Sequence, residues 1–142
     1  MKFISLKISL ALVVFMAFVM QAGTLEGVAV IANKSVPVNT LSPGALKDIY
    51  TGRKTYWEDG QSVVIVVLHG KAEDAAIYEL SGMDPSQFKT FWQRMVFTGR
   101  GQLPKKVDDT ASLLEYVAST KGAIAIVSAD ADLKNAARIQ VK

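Results

Sequence analysis

The chain has 142 residues, with 16 Lys and Arg against 13 Asp and Glu, one histidine and no cysteine, which is material for one domain. Without cysteine there is no disulfide framework, thiol nucleophile, thiolate zinc site or iron–sulfur cluster, and one histidine cannot build a multi-histidine metal centre.

The first two dozen residues stand apart. Lys2 and Lys7 precede an uncharged run from Ile8 to Met20, broken only by Ser9. A basic start and a short apolar stretch read as a secretory signal peptide over residues 1–23, with small residues at Ala22 and Gly23. The run is 13 residues long, short of the roughly 20 that span a bilayer. Met20 and Gln21 match the small-x-small cleavage pattern poorly, so an N-terminal membrane anchor is the alternative. Removing Lys2 and Lys7 leaves 14 basic against 13 acidic residues over 24–142. The basic pairs Arg53-Lys54 and Lys105-Lys106 have acids close by at Glu58, Asp59, Asp108 and Asp109. A nucleic-acid partner, which needs a basic face able to neutralise several phosphates, is therefore not expected.

From Thr24 onward the elements alternate. Val28 to Ala32 is short, apolar and β-branched, a buried strand ending at Asn33-Lys34. Ser42 then caps a helix, with Pro43 at its first position and Thr51-Gly52 at its end. Residues Arg53 to Gly60 form a loop carrying Tyr56 and Trp57, which either close over the edge of the core or make a stacking platform. Val63 to Leu68 is an unbroken apolar run, expected of a strand covered on both faces. His69-Gly70 ends it, and an alanine-rich helix follows from Lys71 to Leu80.

Asp84-Pro85-Ser86-Gln87 is a capping-box variant that opens a second helix. Its apolar stripe is Phe88, Phe91, Trp92, Met95 and Val96, with Trp92 expected to be buried, as is Val66 in the central strand. Thr98 to Pro104 reads as a shaped loop. Asp108 or Asp109 caps a further helix bearing Leu113, Leu114, Val117 and Ala118, stopped by Lys121-Gly122. Ala123 to Val127 is another buried strand, and Ala137 to Val141 a last strand at a sheet edge. Strands alternating with helices imply an α/β layer structure, a mostly parallel sheet flanked by helices.

Enzyme signatures are absent. There is no G-x-S-x-G elbow or Walker A spacing, and Gly99-x-Gly101 lacks the third glycine and the preceding strand of a dinucleotide fingerprint. Asp130-x-Asp132 continues into Lys134, without the glycine and glutamate of a calcium loop. His69 beside Glu73 and Asp74 could form a histidine–carboxylate pair, but nothing local places Ser42, Ser62 or Ser128 against it. Thr98-Gly99-Arg100-Gly101 has two readings. Two glycines allow backbone N–H groups to surround an anion that the Arg100 fork would also grip; equally, they simply turn the chain between helices. No cofactor and no catalytic residue is expected.

The order of these segments resembles the phosphate ABC transporter substrate-binding protein family. The succession is the strand Val28 to Ala32, the stretch from Leu41-Ser42 through Leu46, Asp48-Ile49-Tyr50 and Gly52, then Trp57, then the valine strand. Phe91-Trp92, Phe97 to Gly101 with Pro104, Tyr116 to Thr120 and Gly122-Ala123-Ile124 look like the short, exported, single-domain members. The resemblance implies about one lobe of a type 2 periplasmic-binding-protein fold over 24–142, no enzymatic activity, a periplasmic location and a small oxyanion as ligand. Its partner would be an ABC transporter or another inner-membrane protein. In the full receptors the strand matching Val63 to Leu68 runs into Arg-Ser-Asp-Gly-Ser-Gly-Thr, which holds phosphate. Here those places read His69 to Ala75, without the arginine or the hydroxyls and with carboxylates at Glu73 and Asp74. Ligand residues are therefore expected elsewhere, at Thr98, Gly99, Arg100, Gly101 and Ser42, with weak phosphate binding. The alternative is a periplasmic protein-interaction module without a small-molecule ligand.

Overall fold

The strand with the most continuous apolar sequence organises the molecule. In the computed structural model, which describes residues 25–133 and 136–142, that strand is β3 (Val64–Leu68), flanked by β5 (Ala123–Ser128) and β4 (Lys105–Val107), both parallel to it. The leader expected over 1–23 lies outside the described residues. β1 (Val28–Ala32) runs antiparallel beside β5, with Val30 opposite Ile126. Antiparallel to β1 on its other side is β6 (Ala137–Val141), and β2 (Thr40–Leu41) pairs parallel with β6. The sheet order is β2-β6-β1-β5-β3-β4, so three pairings are parallel and two antiparallel.

The last strand is not at an edge. β2 covers β6 through Thr40 opposite Gln140 and Leu41 opposite Val141. Two residues are too few to leave a period in the sequence. β4 is hidden for the same reason, since its exposed Lys105 and Lys106 show no apolar pattern; such charged, short strands are how sheet edges avoid pairing with other chains.

Helices cover both faces, as the doubly buried β3 requires. On one face lie α1 (Pro43–Tyr50), α2 (Lys71–Ser81) and α3 (Pro85–Phe97), packing Leu46, Ile49, Ile77 and Trp92 over Ile65, Val67 and Ile124. On the other lies α4 (Thr110–Ser119), whose Leu113 and Val117 meet Val66, Ala125 and Val127. The sheet's residues alternate between the two cores, as the pleat demands. Val66 and Trp92 are both buried, as expected.

Helix starts follow from short polar side chains. Ser42 Oγ accepts from the Ala45 N–H at 3.1 Å, and Asp109 Oδ1 from Ser112 at 2.7 Å. Asp84 and Gln87 close a full capping box. Each such bond satisfies an N–H the helix cannot satisfy itself. The α3 stripe buries Phe88 and Trp92, rests Phe91 and Met95 against Gly52, and leaves Val96 in water.

Candidate functional site

The two ends of β3 carry the side chains of interest. At its carboxyl end the chain passes through His69 and Gly70 into α2, with no side chain capping the helix. Glu73, in the first turn, folds back and is buried. Its Oε2 lies 2.6 Å from where a Cβ on Gly70 would stand, so the carboxylate lies directly over Gly70 and any larger residue there would displace it. Asp74 Oδ1 lies 2.9 Å from His69 Nδ1. Two carboxylates thus occupy the positive end of the helix dipole, the place where an anion would otherwise bind. The histidine–carboxylate pair forms, yet no hydroxyl lines the recess beside His69 among the described residues, so no nucleophile is set against it.

A recess of about 200 Å³ opens near the amino end of β3, on the side of the sheet covered by α3. Arg100, Lys54, Thr55 and Ser62 line it, with Gly99 and Gly101. No acid does so among the described residues. Lys54 is engaged: its Nζ is 2.8 Å from Glu58 Oε1, and this hydrogen bond holds the Glu58 carboxyl below its ordinary value. The Arg100 guanidinium has no hydrogen-bond or ion-pair partner among the described residues.

Of the five residues singled out from sequence, the fold brings Gly99, Arg100 and Gly101 together at this recess. It sends the other two elsewhere. Thr98 Oγ1 donates to Arg94 O at 2.9 Å, turned into its own helix. Ser42 is the N-cap of α1, whereas the recess borders Ile49 near the other end of that eight-residue helix, a helix length of about 12 Å.

The backbone of the loop follows the second of its two readings, a turn out of a helix, at three of its amides. Thr98 N–H donates to Arg94 O at 3.0 Å, Gly99 N–H to Val96 O at 3.0 Å, and Arg100 N–H to Met95 O at 2.8 Å. With Gly99 left-handed at φ 73°, this is a Schellman ending, in which the amides turn back to satisfy the last carbonyls of the helix. Those three amides are spent, which leaves side chains and the Gly101 N–H to meet an anion. The negative end of a helix dipole also lies here, favouring the Arg100 cation and opposing an anion.

Sequence reading missed Lys54, Thr55 and Ser62, which a local hairpin brings up: Tyr56 bridges to Ser62, and Val63 N–H donates to Thr55 O at 2.9 Å. Tyr56 is exposed at the rim, but Trp57 is buried and its Nε1 donates to Gly122 O at 2.9 Å. Of the two aromatics, Trp57 closes the core edge. Gly122 is held tightly, because a Cβ there would lie 2.1 Å from Ser62 O. Asn33 completes this end. Its Nδ2 donates to Val117 O at 2.7 Å and Ala118 O at 2.9 Å, closing the end of α4. The only local sign of these roles is a short polar residue at a strand end and a glycine before one.

A family profile described as a PBP superfamily domain matches residues 23–141. No curated protein matches. Among solved structures, a putative phosphate ABC transporter substrate-binding protein with bound phosphate from Clostridium perfringens is similar at 24% identity and a TM-score of 0.57, over 82% of this chain and 44% of that one. An ABC-type phosphate transport receptor from Vibrio cholerae is similar at 20% identity and a TM-score of 0.55, over 81% and 46%. A possible phosphate binding protein from Planctomyces limnophilus gives 11% identity and a TM-score of 0.59, over 82% and 41%. The likeness is one of fold, and the chain spans less than half the length of these proteins.

Proposed function

The chain belongs to the PBP superfamily domain family, and from that premise we propose that it is an exported binding domain of the solute-receptor kind. In this reading it carries no tight phosphate site and makes a weak oxyanion contact through the Arg100 side chain. The observation that carries the proposal is Glu73 folded over Gly70 with Asp74 on His69, which fills the start of α2 from within the chain. A phosphate arriving there would meet two like charges at contact distance. At the amino-end recess it would meet an unpaired guanidinium and no acid, but three of the loop's amides are turned into the helix and open water screens the attraction.

Calorimetric titration of phosphate, sulfate and small carboxylates tests this. Weak binding is expected, and Arg100→Ala should remove about 1.5–3 kcal/mol, the worth of a hydrogen bond to a charged group. Submicromolar phosphate binding that survives Arg100→Ala would overturn the proposal. Export is tested by the mass of the protein recovered from the periplasm: cleavage should leave an N-terminus between Gln21 and Glu26, whereas an intact Met1 in the membrane fraction would favour the anchor.

A second reading, a protein-interaction module that docks on an inner-membrane partner, is favoured by the apolar end of α3. Phe97 is 93% exposed there, next to exposed Val96. Two adjacent apolar side chains left in water give a partner surface something to cover. If this reading holds, Phe97→Ser should release a co-purifying membrane component while leaving phosphate titrations unchanged.

A further inference from the structure

The carboxyl end of β3 holds a second recess, of about 180 Å³, separated from the first by Trp92, which lines both. Its floor is apolar: Val67 from the sheet, Phe88 and Trp92 from α3, and Leu103 and Pro104 from the loop before β4. Its rim is cationic. Lys89 from α3 and Lys106 from β4 line it together with His69, and no acid does so among the described residues. Neither lysine has an ion-pair or hydrogen-bond partner among the described residues. The acids next to its lining residues are engaged elsewhere: Asp74 with His69 Nδ1, Asp84 as the cap of α3, and Glu73 folded over Gly70.

We infer that this recess binds a small carboxylate with an apolar body, such as a ring-bearing monocarboxylic acid, its body on the Phe88–Trp92 floor and its carboxylate between Lys89 and Lys106. Three observations converge. The volume is in the range that takes one six-membered ring. Leu103 stands 54% exposed at the edge, so an apolar occupant removes surface from water that the protein alone leaves wet. The two ammonium groups have no partner of opposite charge within the described fold, and a carboxylate supplies one with charge-assisted hydrogen bonds. The location also fits the general behaviour of α/β sheets, which take ligands outside the carboxyl ends of their strands. Phosphate, with no apolar body, gains nothing from such a floor. The Schellman-capped loop at the other end of β3 plays no part, so the inference stands apart from the Arg100 contact.

The test uses NMR titrations of the purified protein with benzoate, with benzamide as the neutral isostere, and with inorganic phosphate. Benzoate should shift the signals of Phe88, Lys89 and Trp92 and bind at least about tenfold more tightly than benzamide, the effect of one charge-assisted contact. Both lysines are exposed, so Lys89→Met with Lys106→Met should fold normally and lose about tenfold or more in benzoate affinity. Arg100→Ala should leave benzoate binding unchanged while weakening the phosphate contact, which separates failure of this inference from failure of the Arg100 reading. Absence of benzoate binding, equal binding of benzamide, an unaffected double variant, or competition between phosphate and benzoate would each overturn the proposal.

Discussion

The amino and carboxyl ends of β3 are built on opposite plans. At the amino end, behind the recess that Arg100 lines, most neutral polar groups bond inside the fold: Trp57 Nε1 and Val64 N–H both donate to Gly122 O, Gln61 Nε2 to Ser35 O, and Gly122 N–H to Ser35 Oγ. At the carboxyl end the groups are ionisable: His69 pairs with Asp74, Glu73 is buried over Gly70, and Lys89 and Lys106 stand unpartnered in water. Satisfied neutral bonds in a buried place fix a fold. Charges at a strand end leave something for a ligand to meet, and here the two signs are divided between the helix start and the recess beside it. In the proposed reading, that division is what would turn the carboxyl end away from phosphate, because carboxylates already stand at the helix start.

Trp92 joins the two ends, so its removal should have the largest effect. Trp92→Ala merges the two recesses and takes an aromatic side chain out of the α3 core, where Phe88 and Phe91 meet it at ring distances of 6.2 and 5.6 Å. Chemical denaturation should show a loss of about 3–5 kcal/mol; less than about 1 kcal/mol would mean that the stripe carries little of the packing. The amino end should come next. In Gly122→Ala the new Cβ collides with Ser62 O, and the backbone sits at φ 78°. Left-handed strain and overpacking together should cost about 2–4 kcal/mol by the same measurement. An unchanged midpoint would show that this end is not rigid. At the carboxyl end, Asp74→Asn breaks a pair whose side chains are 39% and 31% exposed, and stability should move by only about 0–1 kcal/mol. A larger loss would erase the contrast between the two ends.

What could be read from the letters follows from the range of each interaction. Strands β1, β3 and β5 and all four helices are visible because valine runs, apolar spacing and the caps Ser42, Asp84 and Asp108 or Asp109, of which the fold uses Asp109, act within a few residues. β2 and β4 are not, because two or three residues carry no period, and with β2 unseen the last strand was wrongly expected at an edge. The antiparallel placement of β1 is set by pairing with Ile126 and Ile139, far along the chain. The loop Thr98 to Gly101 shows the limit most clearly. The same four residues spell an anion nest or a helix ending, and the direction in which their amides point, three of them into the helix, is not written in the letters. The negative reading of His69 to Ala75 needed no long-range information, because Glu73 and Asp74 lie within one helical turn of the positions they fill.

An NMR titration of phosphate into the wild-type protein, read at the Arg100 side chain and at the backbone amides of Gly70 and Lys71, tests the central claim most directly. Shifts should grow at Arg100 and saturate only near about the millimolar range, with the Gly70 and Lys71 amides unmoved because the Glu73 carboxylate, folded over Gly70, repels an anion from the helix start. Tight binding that shifts Gly70 and Lys71 and leaves Arg100 still would contradict the account, since phosphate would then have displaced the carboxylate and claimed the helix start.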